Sequence, residues 1–255
     1  MKNKKAIITG ASGGIGLEIA KLLASRNYQL TLVARSEDKL MKAMQNLEGG
    51  GHSVLVVDLS DRKDLEKLMH RIHTDQYDTL INNAGAGIYG EFIDLSLEEQ
   101  LKIMQLNMDG LVMLSHAYLQ TAKSGDSLVN IGSLIAFSSL PGAAVYAGTK
   151  GFVTAFTESL WYEFKDKGVF IMGFNPGATK SDFHLNAGKQ TKAFPEFTLS
   201  SSRAVAKELV LALEKRKEPR VVQGWKNRMM LFMFKFLSRK LAIGIMGKIS
   251  PGISH

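Results

Sequence analysis

Short apolar runs alternate with longer amphipathic segments along the 255 residues of the chain. Seven runs of four to six residues predict strands that are buried on both faces, because their apolar residues are nearly continuous. These runs are 5–9, 30–34, 53–57, 79–82, 128–132, 169–174 and 220–223. Six stretches with helical periodicity lie between them, at 15–26, 36–48, 61–74, 97–121, 144–166 and 201–217.

This alternation predicts an α/β fold with one doubly wound parallel sheet of about seven strands and helices on both faces. Parallel strands need crossover connections, and those are right-handed. We assign a single domain to residues 1–224 and a basic, amphipathic helical extension to residues 225–255. The stretch 176–200 has weak periodicity. Loops of that length are uncommon unless they are functional, so we expect a substrate lid at about 178–200.

The composition is that of an ordinary globular protein with an uneven distribution of charge. The net charge is +8, but residues 219–255 hold seven Lys or Arg and no Asp or Glu. The remaining 25 basic and 24 acidic residues leave a net charge of +1 on residues 1–218. A nucleic-acid-binding protein would more often carry a basic stripe within its fold, so we expect no nucleic-acid partner.

The chain has no cysteine, which excludes disulfide and thiolate chemistry. Its N-terminus lacks the apolar run of a signal peptide, and no segment reaches the roughly 18 apolar residues of a membrane span. We therefore expect a cytoplasmic protein, with peripheral contact at the inner membrane surface as the alternative. His70 and His73 are three apart on a predicted helix, but without a further ligand nearby they indicate a solvated face, and we predict no metal site.

The tail, read as one helix, carries three basic residues near one face and four apolar residues roughly opposite. The basic set is Arg228, Lys235 and Arg239, and the apolar set is Met230, Met233, Leu237 and Leu241. Such a helix can lie on an anionic membrane surface. The interpretation that we favour is packing of its apolar face on the fold or on another subunit, with part of the tail lining the mouth of the substrate site.

A glycine-rich segment, "TGASGGIG", follows the first predicted strand directly. It contains Gly10, Ser12, Gly13, Gly14, Ile15 and Gly16. A glycine turn between a strand and a helix lets backbone N–H groups approach a pyrophosphate, and the start of the following helix carries partial positive charge. Because the segment lies between a strand and a helix, we interpret it as a dinucleotide-binding turn rather than a tight turn alone.

The end of the second predicted strand reads "VARSED" and indicates which dinucleotide binds. An acidic residue about 20 residues past the glycines holds the ribose 2′-OH in NAD-binding folds. Here Arg35 stands 19 residues past Gly16, followed by Ser36. A guanidinium suits a 2′-phosphate, so we predict NADP(H) as the cofactor. The alternative is that Arg35 is solvated and Glu37 or Asp38 does the binding.

Four motifs occur in a characteristic order and spacing between residue 9 and about residue 179. They are "TGASGGIG", "NNAG" at 82–85, Ser133 with Tyr146-x₃-Lys150, and "NPG" at 175–177. In these motifs the chain resembles the short-chain dehydrogenase/reductase family. The resemblance implies a single Rossmann-type domain, a substrate loop near the C-terminus, and assembly as a homodimer or homotetramer.

The resemblance also implies catalytic roles for Asn107, Ser133, Tyr146 and Lys150. Tyr146 would give its proton to a substrate oxygen as hydride arrives, and Ser133 would hydrogen-bond that oxygen. Lys150, one helical turn from Tyr146, would lower the pKa of the phenol and bond the nicotinamide ribose. Asn107 would hold a water in the proton path. Each residue taken alone has a structural explanation, and Asn107 alone could be a buried polar group with a backbone partner.

Further cofactor contacts follow from the resemblance. They are Asp58 and Leu59 near the adenine, the segment Asn83, Ala84 and Gly85, the segment Pro176, Gly177 and Thr179, and Tyr146 and Lys150 themselves. Asp58 has an alternative role as the N-cap of the next helix. We therefore predict an NADP(H)-dependent oxidoreductase that interconverts a carbonyl and a secondary alcohol on an apolar or lipid-like small molecule. The alternative is a non-catalytic NADP-binding or membrane-associated scaffold protein with the same fold.

Overall fold

The computed structural model describes residues 4–180 and 196–253. Its main sheet has seven parallel strands in the order β3-β2-β1-β4-β5-β6-β9. They are β1 (Lys5–Thr9), β2 (Gln29–Ala34), β3 (Ser53–Val56), β4 (Thr79–Asn82), β5 (Ser127–Ile131), β6 (Phe170–Asn175) and β9 (Arg220–Val222). All seven predicted strands are present, so the predicted fold class is confirmed.

Nine helices of eight or more residues occur in the described ranges. They are α1 (Gly14–Ala24), α2 (Glu37–Gln45), α3 (Arg62–Asp75), α4 (Leu97–Met104), α5 (Gly110–Leu119), α6 (Ala144–Phe164), α7 (Ser202–Lys215), α8 (Trp225–Phe234) and α9 (Arg239–Ile249). The single helix predicted over 97–121 is two helices joined by a π-helical turn at Gln105–Asp109.

The sheet is covered on both faces, as its continuous apolar strands require. Successive side chains of a strand point to opposite faces, and in β1 Ile8 packs into one core whereas Ile7 packs into the other. The first core is closed by α1, α2 and α7, and the second by α3, α5 and the C-terminal half of α6. The chain order reverses between β1 and β4, which leaves a crevice at the carboxyl ends of these neighbouring strands.

Most of the predicted lid, residues 181–195, lies outside the described residues. The segments that flank it, β7 (Thr179–Lys180) and β8 (Ser200–Ser201), pair as two short parallel strands. Among the described helices, none has both the length and the apolarity to cross a bilayer.

The tail forms two helices rather than the single helix that we predict, so that prediction is wrong. Helix α8 ends at Phe234, and Ser238 begins α9 by accepting a hydrogen bond from the Leu241 amide. After α9 the Ser250 hydroxyl donates to the carbonyl of Pro141, and Arg239 donates to the Ser139 hydroxyl at 3.0 Å. The tail therefore packs on the loop that precedes α6.

Candidate active site

The turn between β1 and α1 can be built only from glycine at its key positions. Gly10 and Gly14 have φ values of +67° and +55°, which disfavour other residues. A Cβ on Gly10 would lie 2.8 Å from the Asn83 Nδ2 atom, and one on Gly16 would lie 2.4 Å from the Gly10 carbonyl oxygen. Gly13 is open to the cleft, and no described side chain caps α1 there. The amides at the start of α1 are thus available to an anionic ligand.

Asn83 braces this turn from the end of β4. Its Nδ2 atom donates to the carbonyl oxygens of Thr9 at 2.9 Å and Gly10 at 3.2 Å. The Thr9 hydroxyl in turn accepts from the amides of Asn83 and Ala84, both at 3.0 Å. The side chain of Asn83 therefore shapes the binding turn by joining the two strands at the reversal point.

A cleft of about 850 Å³ lies over the carboxyl ends of the strands and contains most of the predicted site. The predicted residues that line it are Gly10, Ser12, Gly13, Gly14, Ile15, Arg35, Ser36, Asp58, Leu59, Asn83, Ala84, Gly85, Ser133, Tyr146, Lys150, Pro176, Gly177 and Thr179. Gly16 and Asn107 are buried behind the lining rather than in it. A dinucleotide fits this arrangement, because the cleft runs from the uncapped start of α1 to the Tyr146 hydroxyl.

One end of the cleft is marked by cations. Arg35, Ser36 and Lys39 line it, whereas Glu37 and Asp38 do not. The sequence left two alternatives for the group that binds the adenosine ribose, Arg35 or an acidic residue at 37 or 38. The lining of the cleft favours Arg35. Lys39 is a site residue that we did not predict, although a second basic residue four positions after Arg35, at the start of α2, is a signal in the sequence.

Asp58 lies beside this end without capping α3. Its carboxylate accepts from the Ser60 amide at 2.9 Å and from the Ser60 hydroxyl at 2.7 Å. Burial acts to raise the pKa of Asp58, but these bonds and the charge of Arg35 outweigh it and hold the pKa below its ordinary value. The N-cap of α3 is Asp61, which accepts from the Asp64 amide at 3.0 Å.

At the other end of the cleft, Tyr146 on α6 meets Ser133, which follows β5. Both side chains line the cleft there. Burial raises the pKa of the Tyr146 phenol to about 12, and the nearby Ser133 hydroxyl acts against that rise. The ring of Tyr89 packs edge-on against Tyr146, with 6.3 Å between the ring centroids. Tyr146 therefore keeps its proton at neutral pH.

Lys150 is buried one turn further along α6. Its Nζ atom donates to the carbonyl oxygen of Ile131 at 2.9 Å, and burial lowers the pKa of Lys150 to about 8. In this structure burial dominates the pKa of both side chains, and the lowering of the Tyr146 pKa by Lys150 stays a prediction. Both groups are buried, and loss of hydration disfavours the charged form of each, phenolate and ammonium alike.

The Asn107 side chain is held by the backbone of the loop after β4. Its Oδ1 atom accepts from the Ala86 amide at 3.0 Å. Its Nδ2 atom donates to the Ala86 carbonyl at 2.9 Å and to the Thr149 hydroxyl at 3.0 Å. Both amide protons are used in these bonds. The structural alternative, a buried polar group with a backbone partner, describes this side chain.

Asn175 in the "NPG" motif positions the Ser133 loop. Its Oδ1 atom accepts from the Ser133 amide at 3.2 Å and from the Thr154 hydroxyl at 3.1 Å. The neighbouring Gly177 admits the tail, because a Cβ there would lie 2.5 Å from Nδ2 of Asn227 in α8. Close approach at Gly177 is therefore explained by a protein contact within this fold.

Part of the tail lines the cleft, as we expect for the mouth of the substrate site. The individual residues were not predicted, and they include Tyr89, Leu140, Asn227, Met230, Met246 and Ile249. Nothing in a single sequence indicates which side of a tail helix returns to the cleft. The methionine content of the tail is the only relevant signal, since flexible thioethers suit an adaptable apolar wall.

A glycine turn at the reversal point of a parallel sheet, together with a buried tyrosine and lysine and a partly buried serine, defines a dinucleotide-dependent oxidoreductase site. Residues 4–192 match the family model of the short chain dehydrogenases, and the chain belongs to that family. It is 30% identical over 191 residues to a short chain dehydrogenase of Pseudocercospora fijiensis, a match that covers 71% of this chain and 62% of the relative.

Two solved structures are similar over nearly the whole chain. A short-chain dehydrogenase from Sphingobium yanoikuyae in complex with NADPH has a TM-score of 0.82 and 26% identity, covering 99% of this chain and 98% of that one. An alcohol dehydrogenase from Comamonas testosteroni, described as specific for bulky-bulky ketones, has a TM-score of 0.76 and 25% identity. It covers 99% of this chain and 97% of its own. The tail is thus within the aligned region of both.

Proposed function

We propose that this protein is an NADP(H)-dependent oxidoreductase that reduces the carbonyl group of an apolar small molecule to a secondary alcohol. The observation that carries the proposal is that Ser133 and Tyr146 line one cleft together with Lys150 and the glycine turn. When bound, the nicotinamide supplies the hydride. The chain itself supplies the proton and the groups that hold the substrate oxygen.

The ionisation of Tyr146 favours the reductive direction. With a pKa of about 12 the phenol is protonated at neutral pH, as a proton donor must be. The Ser133 hydroxyl can hydrogen-bond the same substrate oxygen and stabilise the negative charge that develops there. Oxidation of an alcohol would require Tyr146 to accept a proton, which its burial opposes.

The choice of NADP(H) is supported by the cations at the adenosine end of the cleft. Arg35 can bind a 2′-phosphate through two hydrogen bonds, and Lys39 adds a second positive charge to the same cleft lining. The similar Sphingobium enzyme was solved with NADPH, which agrees with this choice.

An apolar substrate is supported by the wall opposite the cofactor residues. Tyr89, Leu140, Met230, Met246 and Ile249 line this part of the cleft. These side chains offer mainly apolar contact, which suits a bulky, hydrophobic carbonyl compound. The ketone specificity named for the Comamonas relative points the same way.

Helix α4 carries a surface that suits contact with a second copy of the chain. Leu97, Leu101 and Met104 are exposed at helical spacing, and the charges around them, Glu98 and Lys102, are of both signs and paired at 2.7 Å. This nearly neutral apolar stripe supports the homodimer or homotetramer that we propose.

The test is a screen of ketones and aldehydes of graded chain length, following the absorbance of NADPH. We expect turnover to rise with apolar bulk, and Tyr146→Phe to lose a hundredfold or more of it, on the order expected for a general acid, while still binding NADPH. Tyr162→Phe, on the exposed end of α6, is the matched control and should be unchanged. Full activity in Tyr146→Phe would overturn the mechanism.

A further inference from the structure

Helix α8 is apolar on two opposite sides. Its inner side packs on the fold through partly buried Leu231 and Phe234, and Met230 on that side lines the cleft. Its outer side carries an apolar stripe that continues past the helix end, and we call this set the outer stripe. The outer stripe is Trp225, Met229, Phe232, Met233 and Phe236, which are 51–75% exposed. Their spacing of four, three, one and three residues places them on one face.

The orientation of α8 is fixed by contacts at its beginning. The Glu208 carboxylate on α7 accepts from the Gly224 amide at 3.0 Å and from the Arg228 guanidinium at 2.9 Å. Asn227 is held against Gly177 and donates to the Gln223 carbonyl at 2.7 Å. Because the inner side is docked in this way, the outer stripe faces away from the fold. The rings of Phe232 and Phe236 touch each other there, with centroids 5.2 Å apart.

The charged side chains that the tail itself places around the outer stripe are all positive. Lys226 and Lys235 flank it, and α9 presents exposed Lys240 and Lys248 beside exposed Leu241. Residues 219–255 contain no acidic side chain at all. None of these four lysines forms an ion pair with any residue that the structure describes.

We propose that the outer stripe and its lysines dock the protein on the surface of an anionic lipid bilayer. Aromatic and methionine side chains enter the boundary between headgroups and acyl chains, while lysines bind the anionic headgroups. Ten residues of helix span about 15 Å, half the hydrocarbon thickness, so α8 lies along the surface. A twofold contact between copies would instead bring like charges together, in contrast to the mixed charges around α4.

The docked orientation also gives a route for substrate, an extension that rests on the proposed function. Met230 on α8 and Ile249 on α9 line the cleft, whereas the outer stripe lies on the opposite side of α8. A carbonyl compound dissolved in the bilayer would therefore pass only the width of one helix to reach the cleft. The substrate class is then a lipid-soluble ketone or aldehyde that partitions into membranes.

The experiment is co-sedimentation of the full chain with vesicles of phosphatidylcholine, with and without phosphatidylglycerol. We expect binding to the anionic vesicles, weakened by salt. Phe232→Gln/Phe236→Gln should abolish it, and Lys226→Gln/Lys235→Gln should weaken it roughly 25-fold, about fivefold for each lysine. The matched controls are Met41→Gln/Tyr162→Gln, 38% and 64% exposed, and Lys42→Gln/Lys63→Gln. Both controls should bind as the wild type does.

The outcomes separate this proposal from the proposed function. Wild-type protein that ignores anionic vesicles yet reduces carbonyls overturns the docking surface alone. Vesicle binding without reduction of any carbonyl overturns the function alone. Sedimentation equilibrium shows whether the outer stripe contacts another copy of the chain instead. If Phe232→Gln/Phe236→Gln dissociates an oligomer of the wild type but still binds vesicles, the proposal that the outer stripe docks on a bilayer is overturned. If the outer stripe docks the protein as proposed, Phe232→Gln/Phe236→Gln should reduce a water-soluble ketone normally and a vesicle-dissolved ketone at least tenfold more slowly than the wild type.

Discussion

The Lys150 ammonium donates a hydrogen bond of 2.9 Å to the carbonyl oxygen of Ile131, the last residue of β5. This bond ties α6 to the strand that leads to Ser133. It provides a dipole rather than a counter-charge, so burial still lowers the pKa of Lys150 to about 8. The free energy of unfolding is consequently linked to the ionisation of this one side chain.

Replacing Lys150 by Met should change how stability depends on pH. The unfolded lysine keeps its proton up to about pH 10.5, whereas the folded one loses it above about pH 8. Between these values the unfolded chain binds more protons, so the free energy of unfolding of the wild type rises with pH relative to Lys150→Met. The gain across the window is on the order of 3 kcal/mol.

Urea denaturation of both proteins between pH 8 and pH 10.5 measures this difference directly, with the pKa window set by Lys150. Tyr146 is present in both, so its titration should largely cancel in the comparison. Curves that stay parallel across the window would show that Lys150 is hydrated in the folded protein.

Removing the cation at the adenosine end should affect one cofactor selectively. Arg35→Ala should weaken NADPH roughly 10- to 100-fold, the value of a charged hydrogen bond, and leave NADH nearly unchanged. Lys39→Ala should show the same selectivity with a smaller effect. Fluorescence titration with each nucleotide gives the comparison, and Glu37→Ala, outside the cleft lining, is the control. Equal losses for both nucleotides in Arg35→Ala would exclude a phosphate-reading role.

The end of the tail should be sensitive to a single methyl group. A Cβ on Gly252 would lie 2.2 Å from the Gly142 carbonyl oxygen and 2.8 Å from the Gly90 amide nitrogen. Gly252→Ala should therefore destabilise the fold by about 1–3 kcal/mol and lower kcat, because the displaced loops carry Tyr89 and lead into Tyr146.

A matched control for this variant exists in the same tail. Gly244 lies within α9, and a Cβ there meets open space. Gly244→Ala should leave kcat unchanged and stabilise the protein by up to about 1 kcal/mol, since alanine loses less backbone entropy in a helix. Urea denaturation and steady-state kinetics of both variants test the pair. A normal kcat in Gly252→Ala would show that the packing of the tail end does not affect turnover.

Asn175 should matter for turnover more than for cofactor binding. Asn175→Ala removes the acceptor for the Ser133 amide and the Thr154 hydroxyl, with an expected cost of about 1–3 kcal/mol in stability. Turnover should fall because the Ser133 hydroxyl loses its fixed position. Thr154→Val removes one donor and keeps the Ser133 bond, so it should retain most of its activity. The measurements are kcat and the affinity for NADPH. A loss of NADPH affinity with unchanged kcat would contradict the prediction.

The sheet was predictable because each buried strand is a short apolar run with a sharp boundary. The helices were predicted less well where periodicity continues through a break. The π-helical turn around Asn107 preserves the apolar pattern of 97–121, and the residues from Lys235 to Leu237 preserve that of the tail. Only Ser238, a favoured N-cap residue, signals the second tail helix.

The sequence predicted which residues form the candidate site better than it predicted their burial and their charge interactions. A spacing of four residues places Tyr146 and Lys150 on one helix face, but it does not say where the ammonium points or how deeply it is buried. The bond to Ile131 depends on a strand about twenty residues earlier in the chain. The apolar wall from the tail depends on the crossing of α8 over Gly177, which no local pattern records.

The position of β9 has a consequence for synthesis of the protein. One edge of β6 pairs with β5, and the other receives Arg220–Val222. On the ribosome that edge stays uncovered until residues 220–222 have been made, and an open strand edge invites pairing with other nascent chains. Truncated products that stop before residue 220 should therefore be the ones that chaperones retain and proteases remove.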